Sequence, residues 1–116
     1  MSNLLLTNSL TRKKEIFKPI NPKKISLYAC GPTVYDSPHV GNARSLVVFD
    51  VLYRILKILY RSDVTYVRNI TDVDDKITQR AMEKGITIDS LCQQTIADFH
   101  HDCNACLLYT SDAADE

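Results

Sequence analysis

The pattern of apolar and polar positions predicts two strands separated by one long helix. Residues 25–30 and residues 64–68 are short, β-prone apolar runs bounded by turn residues. Residues 42–61 between them are almost entirely apolar apart from four polar residues spaced four, three and four positions apart: Asp50, Arg54, Lys57 and Arg61. This spacing stacks the four on one narrow face, so we expect a largely buried helix with one polar stripe and an Asp50–Arg54 pair.

Two further helices are expected after the second strand, and an irregular segment before the first. Thr71 is expected to cap a helix that Gly85 ends, with acidic residues 72, 74 and 75 in its first turn. A third helix is expected from about Thr87. Its apolar positions keep a helical period: Ile88, Leu91, Thr95, Ile96, Phe99 and Cys103. Residues 1–24, rich in lysine and arginine and holding two prolines, are expected to be irregular.

The order strand, long helix, strand predicts an α/β fold in which the two strands are parallel and joined by a right-handed crossover. Such a unit is half of a doubly wound, Rossmann-like parallel-sheet fold that binds nucleotides. A half-sheet exposes an edge and a face that further chain would cover, so we expect a partial, truncated version of this fold.

Length and charge restrict the class of protein. The 116 residues suffice for one small domain, and 14 basic residues balance 14 acidic ones. A stand-alone nucleic-acid binder usually has a basic excess, so a nucleic-acid partner would be contacted mainly elsewhere. No signal peptide or membrane span is recognisable, which predicts a cytoplasmic location. The four cysteines are therefore expected to be free thiols or metal ligands: Cys30, Cys92, Cys103 and Cys106.

Candidate chemistry lies at residues 30–44, where the first strand ends and the long helix begins. Ligands of parallel α/β sheets bind outside the carboxyl ends of the strands, and a helix N-terminus suits a phosphate. Gly41 permits close approach to the backbone, and His39 could donate to a phosphate oxygen. A lone histidine before a helix is, however, more often a surface residue of a capped loop. Neither common glycine-rich nucleotide fingerprint is present.

Three segments nevertheless resemble the class I aminoacyl-tRNA synthetases. Pro38–His39–Val40–Gly41–Asn42 resembles their HIGH signature, while residues 28–36 and 66–77 resemble the cysteine-specific members. The resemblance covers about residues 5–105. We therefore expect residues 1–105 to be the N-terminal half of the catalytic nucleotide-binding domain. Residues 106–116 depart from the family pattern and are expected to be a foreign or frame-shifted tail.

The resemblance implies that ATP activates cysteine to cysteinyl-adenylate, after which cysteine is transferred to tRNA(Cys). His39, Gly41 and Asn42 match the signature and would hold the ATP phosphates, with magnesium, inside a region from Pro32 to Asn42. His39 and Asn42 would act as catalytic residues by electrostatic positioning. Asn42 stands where the signature has its final histidine, so it can donate hydrogen bonds but cannot carry charge.

The resemblance also implies how the substrate would be selected. Gly31 and Thr71 match positions that contact the substrate cysteine. Cys30 matches the first ligand of a zinc ion that binds the substrate thiolate and so distinguishes cysteine from serine. A buried strand-end cysteine is the common alternative for Cys30 considered alone.

Two other clusters are weaker metal candidates. The aspartates at 72, 74 and 75 could suggest magnesium, but at a helix N-terminus they more often complement the dipole. Residues 100–106 combine two histidines with Cys103 and Cys106, yet no second pair of ligands is available to close a zinc site.

The family's remaining zinc ligands, its KMSKS loop and its anticodon-binding helices are expected downstream of this chain. The isolated polypeptide is therefore expected to fold poorly, to charge no tRNA and to bind zinc weakly. Two other functions remain open: a cysteine ligase that acts on an amino sugar in thiol-cofactor biosynthesis, and a non-catalytic binding module.

Overall fold

The structure, a computed structural model, describes residues 3–61 and 63–109. Its elements, in chain order, are β1 (Leu5–Asn8), β2 (Lys13–Ile16), β3 (Lys24–Ala29), α1 (Val40–Tyr60), β4 (Asp63–Arg68), α2 (Asp75–Lys84) and α3 (Ile88–Ala105). The predicted order of strand, long helix, strand and two helices is confirmed by β3, α1, β4, α2 and α3.

A small parallel sheet of β3 and β4 organises this mixed α/β fold. The two strands pair in register from Lys24 opposite Asp63 to Ala29 opposite Arg68, and α1 connects them. Side chains alternate between buried and more exposed along β4 because successive residues of a strand face opposite sides. The parallel pairing predicted from the long crossover is therefore confirmed.

Three apolar clusters make up the core of the described chain. The first lies between the sheet and α1 and contains Ile25, Ala29, Tyr53, Leu56, Val64 and Tyr66. The second packs the loop after β3 against α2 and α3 and contains Val34, Ile77, Ala81, Leu91 and Cys92. The third joins α1 to α3 through Leu46, Phe99 and Cys103. α3 thus forms a wall beside the β3–α1 connection.

The prediction for the faces of α1 is confirmed for Arg54, Lys57 and Arg61, which are exposed, but it is wrong for Asp50 and for the burial of the rest of the helix. Asp50, expected in a wet stripe, is only 7% exposed, whereas an apolar face of the same helix lies open to solvent. That face consists of Val47, Val48, Val51 and Ile58. The expected Asp50–Arg54 pair is present at 2.8 Å. Helical periodicity correctly placed these polar residues on one side of α1, but it could not predict which side of the helix packs against the sheet.

The prediction for residues 1–24 is also wrong, since β1 and β2 pair there as an antiparallel hairpin from Leu5 opposite Ile16 to Asn8 opposite Lys13. Every residue of β2 is exposed, so its sequence lacks the alternation by which a half-buried strand is recognised.

Thr71 does not cap a helix. Its N–H donates to the carbonyl of Pro32 (3.0 Å) and its carbonyl accepts from the N–H of Val34 (3.1 Å), which forms an isolated parallel bridge. This pairing keeps the chain extended beyond Thr71. The capping residue of α2 is Asp74, whose side chain accepts from the N–H of Lys76. Asp75 lies in the first turn of α2, as dipole complementarity predicts, while Asp72 precedes the helix.

The expected tail, residues 106–116, lies partly outside the described residues, which end at 109. Within it, the Tyr109 ring stacks on Tyr53 with centroids 4.2 Å apart, and its N–H donates to Asp50. In the part of the chain that the structure describes, no helix has the length and apolar character needed to cross a membrane.

Candidate functional site

A cleft of about 510 Å³ opens where the chain leaves β3 and enters α1. One wall is the connecting loop, and the opposite wall is α3. The lining residues run from Gly31 to His39 and include Asn42, Thr95 and Phe99. We call this the main cleft. Its volume lies in the range of small-molecule sites, and it has the position at the carboxyl end of a parallel strand where α/β folds bind ligands.

His39 and Asn42 form a reciprocal cap at the start of α1. The imidazole Nδ1 of His39 accepts from the N–H of Gly41 (3.0 Å), and the Oδ1 of Asn42 accepts from the N–H of His39 (3.0 Å). This arrangement is a capping box, a motif that usually uses serine or threonine with glutamate or glutamine. The histidine expected to bind phosphate therefore also fixes the helix N-terminus.

The cap determines which atoms remain for a ligand. Because Nδ1 accepts a hydrogen bond, neutral His39 carries its proton on Nε2, where it is a donor. Asn42 uses its oxygen in the cap, which leaves its amide Nδ2 as the donating end. The first turn of α1 contains no acidic residue, so no side chain of that turn offsets the positive end of the helix dipole. Donors and dipole together favour an anionic ligand.

Gly41 gives room to the imidazole. A β-carbon at this position would lie 2.8 Å from Cε1 and 2.9 Å from Nδ1 of His39. Any larger residue would displace the ring from its capping position. The expectation that Gly41 lies against a ligand stays a prediction, and the structure adds that a β-carbon at this position would meet His39.

A smaller recess of about 130 Å³ adjoins the main cleft, and the two share Gly31, Pro32, Asn42 and Phe99. Its other lining residues are Cys30, Gly41, Ser45, Leu46 and Arg68. The structure thus brings together the candidates Cys30, Gly31, Gly41 and Asn42. Thr71 lines neither cavity; it reaches them through its backbone pairing with Pro32 and Val34.

Cys30 is an exposed free thiol and not the buried strand-end cysteine of the alternative. Its Sγ lies 3.8 Å from the carbonyl of Gly31, a weak contact. Within residues 3–61 and 63–109, no three histidine, cysteine, aspartate or glutamate residues come together as a metal site. Cys30 is therefore unaccompanied by further metal ligands in this part of the chain.

Two neighbours of this site carried no role in the sequence-based expectations. The Nη1 of Arg68 donates to the carbonyl of Cys30 (3.1 Å), and the Oδ1 of Asn69 accepts from the N–H of Gly31 (2.6 Å). A β-carbon on Gly31 would stand 1.5 Å from the backbone oxygen of Asn69. Only glycine allows this approach. The parallel register, which places Ala29 opposite Arg68, was the one sequence-level signal that could have linked these residues.

The other thiols lie in the core or at a helix end. Burial raises the pKa of the Cys103 thiol on α3, and it also raises the pKa of Cys92, helped by the nearby charge of Asp72. Cys106 is exposed and ends α3. The four cysteines form no disulfide with one another, which agrees with the expectation of free thiols or metal ligands.

Comparison with known proteins gives consistent matches. The family described as tRNA synthetases class I (C) catalytic domain matches residues 16–114. The chain is 55% identical over 103 residues to a cysteine–tRNA ligase of Pelagibacter ubique, covering 88% of this chain and 23% of that protein. It is 58% identical over 101 residues to the cysteine–tRNA ligase of Orientia tsutsugamushi, covering 86% and 21%. It is 61% identical over 97 residues to the cysteine–tRNA ligase of Granulibacter bethesdensis, which covers 84% of this chain and 20% of that protein. The chain thus spans about a fifth of the length of these relatives.

Proposed function

Since the chain belongs to the family of class I (C) tRNA synthetase catalytic domains, we propose that it is the nucleotide-binding part of a cysteine–tRNA ligase. In this reaction a carboxylate oxygen of cysteine attacks the α-phosphorus of ATP, pyrophosphate leaves, and the cysteinyl group then passes from the adenylate to the 3′ end of tRNA(Cys). The β3–α1–β4 unit is half of the doubly wound, Rossmann-like fold on which such a site is built.

One observation carries the proposal most strongly: the main cleft joins the end of β3 to the N-terminus of the 21-residue helix α1. ATP with its magnesium would lie with its phosphates at that N-terminus. The Nε2–H of His39 and the Nδ2–H of Asn42 are the donors for phosphate oxygens. Their hydrogen bonds strengthen as negative charge develops at the α-phosphorus, so both residues act by positioning and electrostatic stabilisation.

The substrate cysteine would lie toward the smaller recess. There Gly31 lines the recess and would contact the amino acid directly. Thr71, whose N–H and carbonyl are paired with Pro32 and Val34, would contribute by holding this loop in place. Most of the tRNA would be contacted by parts of the protein outside this chain, because the 116 residues carry no net charge.

Zinc would supply selectivity for a thiolate over a hydroxyl when bound. The described residues alone do not fit a zinc ion, since Cys30 has no second or third ligand beside it. We assign to Cys30 the place of one ligand and leave the others to the rest of the protein.

The test is cysteine-dependent exchange between ATP and pyrophosphate, measured with and without added zinc, on the protein expressed to the natural stop codon of its gene. We expect zinc-dependent exchange that disappears in Cys30→Ser and in His39→Ala. A well-folded protein without exchange would contradict the proposal and favour a binding module. Adding either tRNA(Cys) or an amino sugar to the activated cysteine then identifies the acceptor.

A further inference from the structure

We propose that Arg68 and Asn69 are positioning residues that hold the peptide bond between Cys30 and Gly31 from both sides and so fix the loop that lines the smaller recess. The expected effect of these contacts on cysteine binding rests on the proposed function. The contacts themselves stand independently of that function.

The geometry concerns a single peptide unit. Its carbonyl oxygen, on Cys30, accepts from the Nη1 of Arg68 (3.1 Å), and its N–H, on Gly31, donates to the Oδ1 of Asn69 (2.6 Å). The described chain contains no cis peptide bond, and in a trans peptide the oxygen and the hydrogen point in opposite directions. Arg68 and Asn69 therefore hydrogen-bond to both polar atoms of the peptide unit and restrict its rotation. We call this contact the peptide clamp.

The clamp bridges a gap in the backbone pairing. The regular ladder of β3 and β4 ends at Ala29 opposite Arg68, and pairing resumes only at the bridge of Thr33 with Thr71. The loop residues between these two points, Cys30 to Pro32, line the recess. Without side-chain support they would have a single backbone tether at Thr71. The clamp supplies that support in the loop that lines the recess.

The burial of Arg68 supports a dedicated role. The residue is only 6% exposed and forms no ion pair among the described residues. Its Nε and Nη2 instead donate to the hydroxyl of Tyr66, and its guanidinium lies 5.5 Å from the centre of the Phe49 ring. Burying a charge without an opposite charge is unfavourable, so such an arginine needs hydrogen-bond acceptors. Among the residues that the structure describes, the Cys30 carbonyl and the Tyr66 hydroxyl are the acceptors that Arg68 meets.

The backbone fits the same interpretation. The Asn69 carbonyl would lie 1.5 Å from a β-carbon on Gly31, so the two segments are in direct contact at the clamp. This approach also excludes solvent from one side of the peptide. A fixed peptide in turn fixes the direction in which the Cys30 side chain leaves the backbone.

The experiment compares Asn69→Ala with Asn69→Asp in the protein expressed to its natural stop codon. Aspartate keeps an oxygen that can accept from Gly31, whereas alanine removes it. Hydrogen–deuterium exchange of the Gly31 amide, resolved by fragmentation mass spectrometry, reports the clamp directly. We expect about tenfold faster exchange in Asn69→Ala and about the wild-type rate in Asn69→Asp. Asn21→Ala is the matched control, because the Oδ1 of Asn21 also accepts a backbone N–H, from Lys23, in an exposed loop.

Cysteine-dependent pyrophosphate exchange on the same variants tests the consequence. Asn69→Ala is expected to raise the KM for cysteine about tenfold and to change the KM for ATP by less than about twofold, with rescue by Asn69→Asp. An unchanged Gly31 exchange rate in Asn69→Ala would overturn the clamp. Faster Gly31 exchange with an unchanged KM for cysteine would overturn the positioning role.

Two provisions keep the test decisive. If Asn69→Ala does not fold, Asn69→Ser replaces it, since the serine hydroxyl is too short to reach the Gly31 amide, and the same outcomes apply. If the wild-type protein shows no pyrophosphate exchange, the proposed function fails, and the Gly31 amide alone then supports or overturns the clamp.

Discussion

The imidazole of His39 accepts a hydrogen bond from the backbone N–H of Gly41, with 3.0 Å between Nδ1 and N, so a residue proposed to bind phosphate also caps α1. One side chain therefore has a structural role, capping α1, and a proposed chemical role, donating to phosphate. Replacing His39 with alanine would remove both roles, so a substitution that keeps the cap is needed to separate them.

His39→Asn separates them. Asparagine is a good capping residue, so the free energy of unfolding should stay within about 0.5 kcal/mol of wild type. It lacks a donor at the position of Nε2, so pyrophosphate exchange should fall by about a hundredfold or more. Denaturant titration and the exchange assay check the two parts. His101→Ala, on the exposed surface of α3, is the control and should change neither quantity. Full exchange activity in His39→Asn would refute the role of the imidazole.

Gly31→Ala tests the close approach of the segment after β4. The added β-carbon would meet backbone atoms of Asn69, which cannot rotate away as a flexible side chain would. We expect a loss of about 3 kcal/mol or more in the free energy of unfolding. Gly85→Ala is the matched comparison: Gly85 has a positive φ of 65° and open space around it, so only backbone strain of about 1 kcal/mol is expected. Equal losses in the two variants would contradict the close packing at Gly31.

Alkylation by iodoacetamide tests the environment of three cysteines. Thiolate is the reactive form, and burial raises the pKa of Cys92 and Cys103, so these two should react far more slowly at about pH 8 than exposed Cys30. Mass spectrometry gives the rate at each position, and the protein unfolded in urea is the control, in which all three rates converge. Equal rates in the native protein would show that α3 does not pack as described.

The same pKa shifts fix the sign of a pH effect. A folded-state thiol pKa above the ordinary value of 9.0 means that the unfolded chain releases its proton first as the pH rises. Titration of Cys92 and Cys103 therefore leaves the free energy of unfolding unchanged below about pH 9 and lowers it as the pH rises beyond that value.

Zinc removal should distinguish this chain from the protein of which it would be a part. Because Cys30 has no further metal ligands beside it within residues 3–61 and 63–109, the 116-residue chain should bind zinc weakly, and Cys30→Ser should change its zinc affinity by less than about tenfold. In the protein expressed to its natural stop codon, a chelator should abolish pyrophosphate exchange and added zinc should restore it. Competition with a chromogenic chelator measures the affinity. Tight binding by the short chain would show that its own residues complete the site.

The local pattern was enough to predict the central unit of the fold and the loop between β3 and α1 that lines the main cleft. β3, α1 and β4 were foreseeable because their apolar runs and turn residues are local signals. The hairpin was not, since fully exposed Lys13–Ile16 has no alternation. The prediction that Thr71 caps a helix was wrong because its backbone pairing with Pro32 and Val34 joins segments that are distant in sequence. For the same reason the contacts of Arg68 and Asn69 with the Cys30–Gly31 peptide were missed, although the parallel register of β3 and β4 could have suggested that these residues lie close together.

The peptide clamp has a consequence for how the chain folds. Side chains of β4 alternate in burial, so a slip of one residue in its pairing with β3 would turn Val64, Tyr66 and Arg68 to the opposite face. Arg68 and Asn69 would then no longer meet the two polar atoms of the Cys30–Gly31 peptide. A misregistered sheet thus cannot form the loop that lines the recess. A ligand that binds at this loop would therefore stabilise only molecules in which β3 and β4 are correctly paired.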